Sequence, residues 1–283
     1  MIIDFHTHVF PPQIKKNRNK YIDSDPCFAI LYSDKNAKLT TADELIESMD
    51  RAGVDVSVIL NIGWTTHELC VETNDYILES IARYPDRLVG FCSVQPRSIH
   101  AALDELERCA KGGIRGVGEI RPDIQLLDLL DNELMDPFTD TLKKHNLILL
   151  THSSEPVGHI YPGKGAVTPE VLYPFIAEHP ELTIVCSHWG GGLPFYALMP
   201  EVKKAMPNVY FDTAASPFLY SPQIYGQAAA IAGSDKILLG SDWPLLAQER
   251  LIKEVESTGL PAETKARILG GNAQKLLGIK DKA

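Results

Sequence analysis

No stretch of this chain approaches the ~18 consecutive apolar residues that a membrane-spanning helix requires. A leader peptide is not expected either: the N-terminus has no basic segment, and its first apolar run reaches Asp4 and His6 almost at once. Positive charge is scarce, with 27 Lys and Arg against 37 Asp and Glu, a formal charge of -10 and a pI near 5.4. Phosphate binding needs a basic face, so a nucleic-acid partner is excluded, and the short "IKKNRNK" run at 14–20 reads as a solvated loop. The five cysteines (Cys27, Cys70, Cys92, Cys109 and Cys186) are odd in number, scattered, and include no C-x-x-C pair. They fit buried free thiols in a reducing compartment, and the expected location is cytoplasmic. No composition shift marks a second domain, so residues 1–283 are expected to form one domain, long enough for a sizeable core.

What the chain does have is a repeating unit. Short apolar runs recur as "IIDF" (2–5), "DVSVIL" (55–60), "LVGFCSV" (88–94), "IRGVGEI" (114–120), "LILLTH" (147–152), "LTIVCSH" (182–188), "VYFDTA" (209–214) and "KILLGSD" (236–242). Continuous rather than alternating hydrophobicity is the pattern of parallel strands buried on both faces. Between them lie segments of helical period that open at Ser or Thr and stop at Gly or Pro: "TADELIESMDRAG", "THELCVETNDYILESIARYP", "SIHAALDELERCAKGG", "DPFTDTLKKHN" and "TPEVLYPFIAEHP". Further helices are expected at 194–206, 221–233, 246–258 and 261–277. Eight strands alternating with about eight helices predict a (β/α)8 TIM barrel, with a doubly wound open sheet as the competing α/β arrangement. Residues 9–39, with Pro11, Pro12 and Pro26, are too long for an ordinary βα loop and predict a lid-like insertion after the first strand.

Such a barrel carries its chemistry at the C-terminal ends of its strands. There the sequence places His6 and His8, Glu119, His152, His188 and Asp242, on strands one, four, five, six and eight. Strand residues i and i+2 face the same side, so His6 and His8 can converge on one cation. Imidazoles with a carboxylate suit zinc best, and manganese, iron or cobalt fit the same donors.

At these residues the chain resembles the amidohydrolase superfamily, in the branch related to aminocarboxymuconate-semialdehyde decarboxylase. The resemblance rests on "DFHTH" (4–8), "SHWGGGLPF" (187–195), "LGSDWPL" (239–245) and "ILGGNAQKLLGI" (268–279), with weaker support from "MDRAGVDVSVIL" and "ARYPDRLVGFCSV". It implies metal ligation by His6, His8, His152 and Asp242, and an acid/base role for His188 beside the metal. It also implies a homodimer, which nothing else in the chain demonstrates. Glu119 departs from the decarboxylase pattern. Two-metal relatives place a bridging group there, so Glu119 either bridges a second metal held by His152 and His188 or pairs with Arg121.

Two reactions follow from this ligand set. In the first, a metal-dependent hydrolase acts on a small carbonyl or ester-like substrate, with the cation lowering the pKa of water and Asp242 taking its proton. The Glu119 position tilts the expectation that way. In the second, a one-metal, non-oxidative decarboxylase acts on an unsaturated or aromatic carboxylic acid, with His188 or Asp242 delivering the proton. A catalytically silent barrel serving as a binding protein is the alternative of another class, disfavoured because every ligand position is filled.

Arg121 is a candidate to grip a substrate carboxylate bidentately, or else a structural salt bridge. Trp189 and Trp243, like Trp64, follow strand ends and are candidates to wall a substrate pocket, or else pack under the insertion. "GHIYPGKG" (158–165) nearly spells a phosphate loop but ends in Gly165 instead of Ser or Thr, and it is read as a loop after strand five in which His159 could meet substrate. His67, His100, His145 and His179 fall at helix ends and are expected to cap or face solvent.

Overall fold

The computed structural model describes residues 1–280 and contains the expected barrel. Its strands are β1 (Ile3–His8), β2 (Val56–Leu60), β3 (Leu88–Cys92), β4 (Gly116–Ile120), β5 (Ile148–Thr151), β6 (Ile184–Cys186), β7 (Val209–Asp212) and β8 (Ile237–Leu238). They pair in parallel in sequence order from β1 to β8. Residues around and beyond the short β8 then meet β1: Phe5 N donates to Leu239 O at 2.7 Å, Asp242 N to His6 O at 3.0 Å and His8 N to Trp243 O at 2.7 Å. The open-sheet alternative is thereby excluded.

Two cores follow from burying each strand on both faces. Phe5, Val58, Phe91, Leu150, Val185 and Leu238, from six different strands, form one cluster inside the barrel, closed by Ala273 and Leu277 of the last helix. A larger cluster fills the shell between strands and helices. The helix signals account for most boundaries. Thr41 forms a reciprocal capping box with Glu44 on Ala42–Ala52, which ends at left-handed Gly53. Thr66 caps His67–Arg83.

Three boundaries differ from expectation. The helix expected from Asp136 begins at Asn132, capped by Asp131, and carries Pro137 in its second turn. The segment 194–206 divides into Leu193–Tyr196 and Pro200–Ala205, because Pro200 can start a helix but not continue one. Segment 261–277 runs through a π-helical turn at Arg267–Gly271, where a side chain on Gly270 would collide with the carbonyl of Met1.

Residues 9–39 form three short helices, Pro12–Lys16, Arg18–Ser24 and Pro26–Tyr32. They are pinned from below: Trp64 stacks on Phe28 at 5.4 Å, and Asp25 accepts from the backbone N–H and hydroxyl of Thr65 at 2.8 and 2.6 Å. Trp64 is therefore packing beneath the insertion and not a pocket wall.

One buried polar network ties the helix 67–83 to β3 and to helix Ile99–Lys111. Asn74 exchanges hydrogen bonds with Ser93 and donates to Glu105 at 2.7 Å, and Arg108 donates two bonds to the same carboxylate, each 2.7 Å. Burial pushes the Glu105 carboxyl up, but the Arg108 and Asn74 bonds outweigh it and hold its pKa below the usual 4.5. A depressed folded pKa means stabilisation that is fully present above the unfolded value and lost as pH falls through the folded one. Glu105→Ala is expected to cost about 2–3 kcal/mol by leaving one of the two Asn74 amide N–H bonds buried without an acceptor. Urea unfolding should show that cost at pH 7 and a smaller one near pH 3.

Candidate metal centre

β1 delivers the first donors through a local irregularity. Asp4 pairs with Ser57 but Thr7 pairs with Ile59, so β1 carries one extra residue between them, a bulge that re-aims His6. β4 repeats the device between Val117 and Ile120, where Gly118 sits at φ +148° and any side chain would collide with the Leu150 carbonyl. The residue presented there is Glu119.

His6 Nε2 and His8 Nε2 approach to 3.1 Å, and Asp242 Oδ1 lies 3.3 Å from His8 Nε2 and 3.9 Å from His6 Nε2. The point equidistant from these three atoms lies about 2.0 Å from each, the bond length of a zinc–imidazole or zinc–carboxylate contact. The donor set therefore fits a divalent cation. Glu119 lies within metal-sharing distance of both His6 and His8, and a second group joins Glu119, His152 and His188.

Asp212, which the sequence analysis did not single out, holds both groups. Its Oδ2 accepts from His6 Nδ1 at 2.8 Å, leaving the Nε2 lone pair to face the other donors. Its Oδ1 accepts from the backbone N–H of His188 at 2.9 Å and of Ala214 at 3.0 Å. The first of these bonds fixes an unusual turn: His188 and Trp189 both adopt left-handed backbone, at φ 54° and 59°. Asp242 is left-handed too, at φ 63°, and its neighbour Ser241 is bound through N–H and hydroxyl to Asp4 at 2.9 and 2.6 Å. An Asp at the end of β7, one strand removed from the H-x-H strand once β8 meets β1, was the available signal for Asp212; nothing in the sequence marked the bulges. Asp212→Ala is expected to weaken metal affinity roughly 10- to 100-fold, as loss of a ligand-orienting carboxylate does, which metal titration of chelator-stripped protein measures.

The electrostatics of the site call for positive charge at its centre. Burial pushes the His6 imidazolium down, but the Asp212 carboxylate, with Glu119 and Asp242 behind it, outweighs burial and raises its pKa to about 10. His188 is pushed down by burial and raised more strongly by its Glu119 hydrogen bond and Asp242, to about 9. Asp242 is raised by burial but held at about 2 by its bond to His8 and the charges of His6 and His188. Glu119 likewise stays well below the usual carboxylate range, burial being outweighed by His152 and His188. His152 falls to about 4 through burial and the Arg121 charge. These shifts favour a proton on His6 when no metal is present, and a cation held by its Nε2 would displace that proton while leaving His188, outside the donor triangle, free to keep its own.

Glu119 does not pair with Arg121. Its Oε1 accepts from His152 Nδ1 at 2.8 Å and meets His188 Nε2 at 3.4 Å. Arg121, buried, turns to Asp123 at 3.3 Å and to the Gly163 carbonyl at 3.0 Å, while its Nη1 makes no hydrogen bond to the described residues. Arg121 nevertheless lines a cavity of about 540 Å³, together with His8, Glu119, His152, His188 and Asp242. The insertion contributes Leu31, Tyr32 and Lys38 to the same cavity, and the loop after β5 contributes His159.

Two expected substrate contacts are corrected. Trp189 is fully buried in the shell core, donates to Ser216 Oγ at 3.0 Å and packs edge-on against Tyr225, because the left-handed turn directs it away from the cavity. Trp243 is also buried in that core, and the adjacent Pro244 and Leu245 reach the cavity in its place. His67, His100, His145 and His179 do not line it. Nor is "GHIYPGKG" a phosphate loop: the next helix starts only at Pro169, and Lys164 Nζ is bound to the Val157 and His159 carbonyls. No helix among the described residues is long and apolar enough to cross a membrane.

Comparison with known proteins identifies the family and the fold. The amidohydrolase family model matches residues 3–279. A 2-amino-3-carboxymuconate-6-semialdehyde decarboxylase from Dictyostelium discoideum is 23% identical, over 98% of this chain and 91% of its own length. A gamma-resorcylate decarboxylase from a Polaromonas species is also 23% identical, over 85% of this chain and 88% of its own. Among solved structures, 5-carboxyvanillate decarboxylase from Novosphingobium aromaticivorans superposes with a TM-score of 0.81 at 18% identity, covering 99% of this chain and 96% of that one. That structure holds manganese and 4-hydroxy-3-methoxy-5-nitrobenzoic acid.

Proposed function

The chain belongs to the amidohydrolase family, and from that premise we propose that it is a metal-dependent, non-oxidative decarboxylase of an unsaturated or aromatic carboxylic acid. The observation that carries the proposal is the His6–His8–Asp242 donor triangle opening onto one cavity with His188, a histidine whose surroundings favour its protonated form. The activities of the two 23%-identical relatives point the same way and displace hydrolysis, the first expectation from the sequence, to second place.

His6, His8 and Asp242 would hold the cation, with Glu119 and His152 on the facing wall to complete its surroundings. When bound, the cation supplies Lewis acidity toward the oxygens at the substrate's carboxylate end. Arg121 offers its unpaired Nη1 to the substrate's anionic oxygen. His188 gives its Nε2 proton to the carbon that bears the carboxylate, and the electron pair of the breaking C–C bond then restores the π system as CO2 leaves. Glu119, 3.4 Å from that nitrogen, keeps the proton on His188 until substrate accepts it. Asp242, with its low pKa, stays a carboxylate throughout.

Zinc and manganese both suit these nitrogen and oxygen donors, and manganese occupies the 5-carboxyvanillate decarboxylase structure. Both loaded forms should therefore be assayed. Incubation with gamma-resorcylate, 5-carboxyvanillate and 2-amino-3-carboxymuconate-6-semialdehyde, beside simple esters, lactones and amides, tests the proposal. It predicts CO2 release from at least one acid and loss of that activity on chelation. Cleavage of an ester, lactone or amide with every acid untouched refutes it. The membership of Glu119 in both donor groups favours a second reading, a two-metal hydrolase, which predicts about two equivalents of metal per chain falling to one in Glu119→Gln.

A further inference from the structure

Two sequence features take no part in the chemistry above: the "GHIYPGKG" loop and the glycine run at 190–192. They meet in a second cavity of about 380 Å³, beside the first and sharing His159, Tyr161 and Leu219 with it. The glycines make its floor. A side chain at Gly191 would collide with the Ser154 carbonyl, one at Gly192 would rest against the Tyr220 hydroxyl, and both residues have positive φ. Phe195, Tyr196, Tyr220 and Tyr161 supply aromatic walls around a single carboxylate, Glu155.

That carboxylate is half satisfied. Glu155 Oε2 accepts from the Tyr161 hydroxyl at 3.2 Å and the Tyr220 hydroxyl also approaches the carboxylate, but Oε1 is buried without a hydrogen bond of good geometry. Lys164 lines the same pocket with its ammonium 5.9 Å from the Tyr161 ring centre, yet it makes no ion pair with Glu155: its Nζ is bound to the Val157 and His159 carbonyls at 2.7 and 3.2 Å. Nor do the phenols bring a charge: burial, and then the neighbouring Glu155, pushes the pKa of Tyr161 and of Tyr220 up. A buried acceptor without a donor costs free energy that a ligand N–H recovers. A positive charge among aromatic faces gains cation–π attraction as well, which a neutral donor does not.

We propose that this pocket binds an alkylammonium group, with Glu155 as its counter-charge and the aromatic walls of Phe195, Tyr196 and Tyr220 around its carbon chain. The ammonium could be the far end of a molecule whose acid end occupies the reaction cavity, or a separate amine. The inference does not rest on decarboxylation, because binding is measured without turnover.

The test is calorimetric titration of metal-loaded full-length protein with n-butylammonium chloride, using n-butanol as the neutral control. Saturable binding of the ammonium, no comparable binding of the alcohol, and a weakening of about tenfold or more in Glu155→Gln support the proposal. Tyr196→Ala, at a half-exposed side chain whose loss spares the core, should weaken binding about threefold and guards against a folding defect in the first variant. Mutual exclusion with gamma-resorcylate would assign the ammonium to the substrate's own tail, and simultaneous binding to a separate amine; both accord with the pocket. No saturable binding, equal binding by butanol, or unchanged affinity in Glu155→Gln overturns it and leaves Oε1 satisfied by water.

Discussion

Replacing His8 with alanine is expected to lower turnover by roughly 10³-fold or more, because the Lewis acid that stabilises developing charge by several kcal/mol leaves with it. His8 is the histidine at which the donor triangle meets the cavity: His6 lies wholly beneath the surface, whereas His8, with Asp242, lines the opening. Removing it leaves His6 Nε2 and Asp242 Oδ1 at 3.9 Å, a two-donor remnant. Bound metal per chain, measured by elemental analysis after desalting, should fall in step with activity. A variant that kept its metal and lost activity would assign His8 to substrate contact instead.

The second large effect separates proton delivery from metal binding. His188→Gln should reduce kcat by roughly 10²- to 10⁴-fold while bound metal and KM change little, because the glutamine can occupy the site but cannot titrate. The pH dependence has a definite sign. The proposed proton transfer requires protonated His188, so activity is expected to fall as pH rises through its pKa. In the metal-free protein that pKa is pushed up to about 9, and a cation nearby lowers it, so the descending limb should lie below 9. The variant should lose that limb. A His188→Gln protein that lost its metal with its activity would make His188 a ligand and favour the two-metal reading.

The contrast between the two substitutions also explains what could be read before any coordinates. Eight apolar runs separated by capped helices determined the barrel, because each run must be buried on both faces and only one closed arrangement provides that eight times in a row. Strand ends were legible for the same reason, which is why His6, His8, Glu119, His152, His188 and Asp242 are found together. What sequence periodicity could not reveal is what breaks periodicity. The bulges in β1 and β4 add one residue each, and they direct His6 and Glu119 inward. The left-handed turn after β6 sends Trp189 into the core and His188 to the cavity, reversing the role expected for the tryptophan. Asp212 escaped notice because its partners lie 206 and 24 residues away: barrel closure brings it to His6, and the pairing of β6 with β7 brings it to the His188 backbone. Arg121 and Glu119 are near neighbours in sequence, yet Glu119 takes the histidines while Arg121 takes Asp123, so proximity along the chain gave the wrong pair.

The proposed reaction reduces to one event, metal-dependent loss of a carboxylate from substrate. Its most direct test follows a ¹³C-carboxylate-labelled acid of the gamma-resorcylate type by NMR in D2O, with metal-loaded and chelated protein side by side. The expected result is label appearing as CO2 and bicarbonate, one deuteron at the carbon that lost it, and neither change after chelation. Label that stays in an organic product, or that departs equally without metal, contradicts the account.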